Sequence, residues 1–217
     1  MNKQLTTLFM VFASVFIIST LVKPYPFSWL VKLIPMLLLI AVAIQQKMLG
    51  NFKDKAANVF IVGLAFSALG DFILDYDRIN WFIFGLGAFF IAHICYLLSL
   101  KPFYTKPFKE NRGLVTLGYV AYGIAMFALL SGGLGELFIP VLGYMSILLF
   151  MAIATLVSKK SNNWLILGGI SFVFSDSLLG FDKFYLTIPH AHIAIMISYY
   201  FAQYALLRGF LKASSQP

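Results

Sequence analysis

The chain alternates long apolar runs with short polar breaks. Eight runs stand out, at about residues 5–22, 27–45, 56–74, 81–100, 113–131, 135–157, 163–181 and 190–211. Crossing a bilayer as a helix takes about 20 mostly apolar residues. Runs of that length predict helices, because barrel strands would show weak alternation over about ten residues. Little chain remains between the runs, so residues 1–217 read as a single integral membrane domain. The first run leaves through Ser19-Thr20-Leu21-Val22-Lys23. It is too long for a signal-peptide core and has no small-x-small cleavage site, so it counts as a span.

Two segments within this pattern say nearly the same thing 105 residues apart: Gly70-Asp71-Phe72-Ile73-Leu74-Asp75-Tyr76-Asp77-Arg78 and Ser175-Asp176-Ser177-Leu178-Leu179-Gly180-Phe181-Asp182-Lys183. The offset aligns Asp71 with Asp176, Asp77 with Asp182, Arg78 with Lys183, Gly63 with Gly168 and Pro35 with Pro140. Four spans per half is an even number, so both halves enter the membrane from the same side. The expected architecture is all-α, eight transmembrane helices in two parallel four-helix repeats, about 1–105 and 106–217. The basic stretch Lys101–Arg112 is the expected boundary. The Ser131-Gly132-Gly133-Leu134-Gly135 segment reads as a tight turn. The repeat is partial: Lys32 aligns with Leu137, and Ala92-His93 matches Ala202-Gln203 only after a five-residue shift.

Composition agrees, with 61% hydrophobic and 11% charged residues against about 45–50% and 25% in soluble domains. A net charge of +8 invites a nucleic-acid reading, but its distribution excludes one. With the N-terminus inside, twelve basic residues fall in cytoplasmic segments (Lys3, Lys47, Lys53, Lys55, Lys101, Lys106, Lys109, Arg112, Lys159, Lys160, Arg208 and Lys212). Three fall in outer loops (Lys23, Arg78 and Lys183), and Lys32 lies within the second span. This is the positive-inside bias, and it predicts that both termini are cytoplasmic. Basic residues near the surface also suit anionic membrane lipid. The lone cysteine, Cys95, rules out an intrachain disulfide and reads as a packing residue.

An ionisable residue inside a span is costly and marks a functional site by default. Asp71 and Asp176 sit about one turn before the expected outer ends of the third and seventh spans. They are expected to face one polar cavity between the halves. Gly63, Ser67, Asp71 and Asp75 recur every four residues, and Gly169, Asp176, Gly180 and Lys183 follow at seven, four and three, so each set is expected to line one helix face. Lys32 reads either as a snorkelling residue or as the partner of a carboxylate or phosphate. Asp71 paired locally with Arg78 is the purely structural alternative. His93 with Tyr96, and Tyr199 with Gln203, add polar groups deep in the fourth and eighth spans.

No metal is signalled. His190 and His192 are two residues apart, so a helix would point them to different sides, and His93 stands alone. Ser67, Ser175 and Ser177 lie near the aspartates without a neighbouring base, which argues against a serine nucleophile.

Taken in order, several of these pieces resemble the YhhN-type lysoplasmalogenase family of eight-span membrane proteins. They are Lys32-Leu33-Ile34-Pro35, Ser67-Ala68-Leu69-Gly70-Asp71-Phe72-Ile73-Leu74, Phe84-Gly85-Leu86-Gly87-Ala88-Phe89 leading to His93-Ile94-Cys95-Tyr96, Phe174-Ser175-Asp176-Ser177-Leu178-Leu179, Phe184, and Tyr199-Tyr200-Phe201-Ala202-Gln203. The resemblance implies cleavage of the vinyl ether of a lysoplasmalogen, with Asp71 and Asp176 as the functional aspartates and no cofactor. It implies a lysophospholipid partner and an integral location, in a bacterial inner membrane. Lys32, Ser67, Asp75, Arg78, His93, Tyr96, Asp182, Lys183, Tyr199, Tyr200 and Gln203 are the candidate supporting residues. The chemistry suits paired carboxyls, one protonated to attack carbon and one ionised to face the cation. A small transporter or lipid-binding protein using the same aspartates for protons or cations stays open at this point.

Overall fold

The computed structural model describes residues 3–51, 54–101 and 112–215. Among these the regular structure is helical throughout: α1 (Lys3–Ser19), α2 (Ser28–Met48), α3 (Asp54–Tyr76), α4 (Phe82–Leu100), α5 (Arg112–Leu130), α6 (Phe138–Val157), α7 (Asn163–Phe184) and α8 (Ala191–Ser214), with short 3-10 turns after α1 and α5. Lys53, Lys106, Lys109 and most of the expected boundary segment lie outside the described residues.

Seven of the helices are long and apolar enough to cross a membrane. The eighth, α8, has the length, at 24 residues, but carries Tyr199, Tyr200, Gln203, Tyr204 and Arg208. Between Ser198 and Phe210 only Phe201 and Arg208 escape burial. A helix covered by protein on most sides tolerates polar groups that lipid would not.

The chain divides into two compact units, residues 1–99 and 100–216. In the first, the chain between α1 and α2 meets the end of α3. Lys23 Nζ and Ser28 Oγ both donate to the Asp75 carboxylate. The α3–α4 turn is closed by Asp77, whose Oδ1 accepts from the backbone N–H of Asn80 at 3.0 Å and of Ile79 at 3.1 Å. Trp29, Phe72, Tyr76 and Trp81 follow one another around the same end, with ring centroids 5.1–5.6 Å apart. Such amphipathic rings suit a membrane–water boundary.

In the second unit both ends of the bundle are tied. Asn162 caps α7, its Oδ1 accepting from Trp164 and Leu165 N–H, while its Nδ2 donates to the Gly209 carbonyl of α8 at 3.0 Å. Arg112 at the start of α5 donates to the Leu156 and Ser158 carbonyls at the end of α6. At the opposite end Gly133 abuts the Phe184 carbonyl so closely that a Cβ would lie 1.9 Å from the oxygen. The expected tight turn is here two short 3-10 turns, Ser131–Gly133 and Gly135–Leu137, with Gly135 left-handed at φ +50°. The α7–α8 turn is closed by Asp182, which accepts from Ile188 N–H at 2.9 Å. Asp77 and Asp182, aligned in sequence, thus do the same work in their respective turns.

Helix ends differ from expectation. The third span runs to Tyr76 and the seventh to Phe184, past 74 and 181. Asp71 therefore sits five residues from its helix end and Asp176 eight, about 7 and 12 Å of rise.

Candidate functional site: two buried carboxyl groups with different partners

Asp71 is 2% exposed and Lys32 7%. Lys32 Nζ lies 3.2 Å from Asp71 Oδ1. Of the two readings of Lys32, the structure shows the carboxylate partner. Lys32 does not snorkel out; its ammonium turns inward to Asp71. That ion-pair partner of Asp71 comes from α2, while Arg78, beyond the end of α3, is exposed. Lys32 is the fifth residue of α2 and Asp71 lies five before the end of α3, so antiparallel packing brings them level.

Four-residue steps overshoot a helical turn by about 40° each, so the Gly63–Ser67–Asp71–Asp75 stripe winds instead of keeping to one face. Gly63 packs on Tyr96, where a Cβ would lie 2.7 Å from the ring. Ser67 Oγ is 3.0 Å from Tyr96 Oη. These two face α4. Asp71 and Asp75 face α2, through Lys32 and Ser28. The stripe passes from one neighbour to the other along its length.

His93 is fully buried, and its Nδ1–H donates to the Phe89 carbonyl at 2.6 Å, since a carbonyl only accepts. Its ring meets Tyr96 edge-on at 6.3 Å. The hydroxyl of Tyr96 is directed to Ser67, so the expected His93–Tyr96 network is a ring contact.

In the second unit Asp176 accepts a hydrogen bond at Oδ2 from the Tyr144 hydroxyl of α6. Tyr144 is buried. Gly169, two turns away on α7, faces the same helix; a Cβ there would lie 2.6 Å from Thr155 Oγ1 and 3.3 Å from Ala152 Cα. Gly180 has turned towards α5 and Leu130. Lys183 is exposed and lies over the Phe184 ring at 5.7 Å. Tyr199 and Tyr200 are buried side by side, and Tyr199 packs edge-on against Phe172 at 5.6 Å. Gln203 is fully buried. Ser175 Oγ donates to the Ile195 carbonyl at 3.0 Å, joining α7 to α8.

The structure thus joins Lys32 to Asp71, and Ser67 to Tyr96. It gives Asp182 to a turn and Asp75 to a part-buried cluster with Lys23 and Ser28. Tyr144 was not foreseen. A signal existed: it lies seven residues after Leu137, the aligned counterpart of Lys32, hence two turns along the same face of the equivalent helix. Among the described residues no three of His, Cys, Asp and Glu come together as metal ligands.

No solved structure matches. The lysoplasmalogenase of Mycobacterium tuberculosis (strain CDC 1551 / Oshkosh) is 32% identical over 163 residues, 72% of this chain and 62% of that protein. The human lysoplasmalogenase TMEM86B is 29% identical over 187 residues, 86% of this chain and 76% of its own. The human lysoplasmalogenase TMEM86A is 30% identical over 158 residues, 68% and 63% respectively. The match spans about three-fifths of the mycobacterial relatives' length. The family model for YhhN matches residues 27–210, which takes in both aspartates, Lys32 and Tyr144: the chain belongs to the YhhN family.

Proposed function

We propose that this protein is a lysoplasmalogenase, a membrane hydrolase that cleaves the vinyl ether of a lysoplasmalogen. The products are a fatty aldehyde and glycerophosphocholine or glycerophosphoethanolamine. The observation that carries the reading is the similarity, over most of the chain, to proteins named lysoplasmalogenase. Buried carboxyls suit the chemistry. A vinyl ether opens when its β-carbon is protonated, leaving an oxocarbenium ion. Water adds at the carbon bearing oxygen, and the hemiacetal collapses. The reaction needs one carboxylic acid and one carboxylate acting on the same substrate, the division that glycosidases use around a related cation. Asp71 and Asp176 fill those two roles. Lys32 supports Asp71, while the exposed Arg78 and Lys183 are available to the substrate phosphate.

The protein is integral to a bacterial inner membrane, with both termini cytoplasmic and the two aspartates towards the outer leaflet. The basic residues of the described cytoplasmic segments support this orientation.

The test is product release. Purified protein given lysoplasmalogen in detergent or nanodiscs should liberate free aldehyde. Binding of the lipid with no aldehyde formed would instead support a carrier or lipid-binding role.

A further inference from the structure

At the end of the second unit where α6 and α8 finish and α7 begins, one arginine is held in a fixed pose at the protein surface. Between Ser198 and Phe210 α8 is covered almost completely, and Arg208 is its one exposed polar residue. The Arg208 guanidinium lies over the Trp164 ring of α7, Cζ 4.5 Å from the centroid, and its Nη1 donates to the Tyr204 hydroxyl at 2.8 Å. Trp164 and Tyr204 brace each other edge-on at 5.9 Å. Stacking uses the face of a guanidinium and leaves its edge, where the N–H groups lie, for hydrogen bonds. Tyr204 takes one N–H. Among the described residues no carboxylate pairs with Arg208.

The surroundings of Arg208 are basic. Lys212, one turn further along α8, is exposed. The α6–α7 turn carries Lys159 and Lys160, and Asn162 ties that turn to α8, its Nδ2 donating to the Gly209 carbonyl beside Arg208. The acidic residues described in this unit, Glu136, Asp176 and Asp182, stand in the α5–α6 turn or the second half of α7, towards the other end. Trp164 is in the first turn of a helix able to cross a membrane, the level at which indole rings settle between lipid and water. Leu167, Ile170 and Phe174, all exposed, lie within about 120° of Trp164 around α7. They form an apolar track that starts at the guanidinium. An arginine fork suits a phosphate, a surplus of cations suits a headgroup of net negative charge, and the track suits an acyl chain. From the Arg208–Trp164–Tyr204 stack and this track, we propose that this end of the second unit binds an anionic phospholipid of the surrounding bilayer. The Arg208 fork takes the phosphodiester and a chain lies along α7. Free phosphate would satisfy the fork but not the track. Hydrolysis of a vinyl ether plays no part in this binding.

Full-length protein in detergent micelles, titrated with phosphatidylglycerol and followed by native mass spectrometry, tests the site. The first phosphatidylglycerol should bind more tightly than phosphatidylcholine. Glycerophosphoglycerol or inorganic phosphate at equal concentration should not displace it. Arg208→Gln should raise the Kd of that first lipid about 10-fold or more, the worth of a charged hydrogen bond. Arg208→Lys keeps the charge but loses the planar fork and its stacking, and should bind about two- to fivefold more weakly than wild type. Lys55→Gln removes the same charge from an exposed position in the first unit and should leave the Kd unchanged. Equal weakening by Lys55→Gln and Arg208→Gln would reduce the effect to overall charge and overturn the site. Displacement by inorganic phosphate would make it a free-anion site, and equal affinity for phosphatidylcholine would remove headgroup charge from it. Either result overturns the lipid assignment. If Arg208→Gln does not fold, the lysine variant and the comparison of lipids on wild-type protein still decide.

Discussion

Lys32 Nζ and Asp71 Oδ1 form a buried ion pair at 3.2 Å, with one charge from α2 and the other from α3. Burying two charges costs several kcal/mol per ion before their attraction offsets it. Such a pair is therefore weak evidence for stability and better evidence that both charges are used. It also commits α2 to the site, although α2 carries no carboxylate of its own.

Breaking the pair from one side should be costly. Lys32→Met leaves the buried Asp71 carboxylate uncompensated and should destabilise the protein by about 3–5 kcal/mol. Adding Asp71→Asn should recover much of that loss. Equilibrium unfolding of the two single variants and the double variant in detergent measures the coupling. Additive losses would show that the two side chains do not compensate each other. In the activity assay Lys32→Met should lower kcat while leaving KM nearly unchanged. A rise in KM alone would make Lys32 a headgroup ligand.

Asp71→Asn and Asp176→Asn should each reduce aldehyde release by about 10²–10⁴-fold, the usual contribution of a positioned acid or base. An amide neither donates the required proton nor carries the stabilising charge. Near-normal turnover in either correctly folded variant would sink the two-carboxylate chemistry.

Glycines test the packing that sets the site. A Cβ on Gly209 would lie 2.5 Å from Leu165 N and 3.0 Å from its Cα, both of which are backbone. Gly209→Ala should cost about 1–3 kcal/mol or more, because backbone cannot step aside. Gly87, within α4, has nothing within 4 Å of the same position. Gly87→Ala should be neutral or stabilise by up to about 1 kcal/mol. Thermal unfolding should come at a lower temperature for Gly209→Ala and at the same or a higher temperature for Gly87→Ala.

The α3–α4 turn should be sensitive to acid. Hydrogen bonds from Asn80 backbone and side chain, then Ile79 backbone, hold the Asp77 carboxyl below its usual range. A depressed folded-state pKa means that the contribution is complete above the ordinary aspartate value. It is lost as pH falls through the folded one. The protection of the Ile79 and Asn80 amides, taken relative to their intrinsic exchange at each pH, should fall at the acid end, and Asp77→Ala should abolish that change in protection. Protection that still falls with acid in Asp77→Ala would assign the effect elsewhere.

Topology has its own readout. A reporter fused after Pro217 should behave as cytoplasmic, and one inserted at Gly133 as external. The opposite pattern would overturn the orientation drawn from the charge bias.

Helix positions were legible in the chain because transfer into lipid is a local property: each stretch of about 20 residues is apolar enough or it is not. The ends were less legible. Lys183 and Phe184 stay helical although the apolar run has ended, since the chain stops only where Tyr185 and Leu186 N–H turn back to the Phe181 carbonyl. The aspartates stood out for a related reason, as isolated charges in apolar surroundings.

Their partners depended on the tertiary structure. Whether Lys32 meets solvent, phosphate or a carboxylate depends on where α3 lies beside α2, and no run of residues encodes that distance. The 105-residue alignment paired Lys32 with Leu137 and concealed Tyr144, two turns further along the same face. A lysine reaches a carboxylate through four methylenes and a tyrosine through a rigid ring, so one helix face can serve its aspartate from different registers. Sequence by itself determined that Asp71 and Asp176 interrupt long apolar runs. Only packing decided that one meets an ammonium and the other a phenol, because charge pairing and hydrogen bonding depend on separations of a few ångströms between helices far apart in the chain.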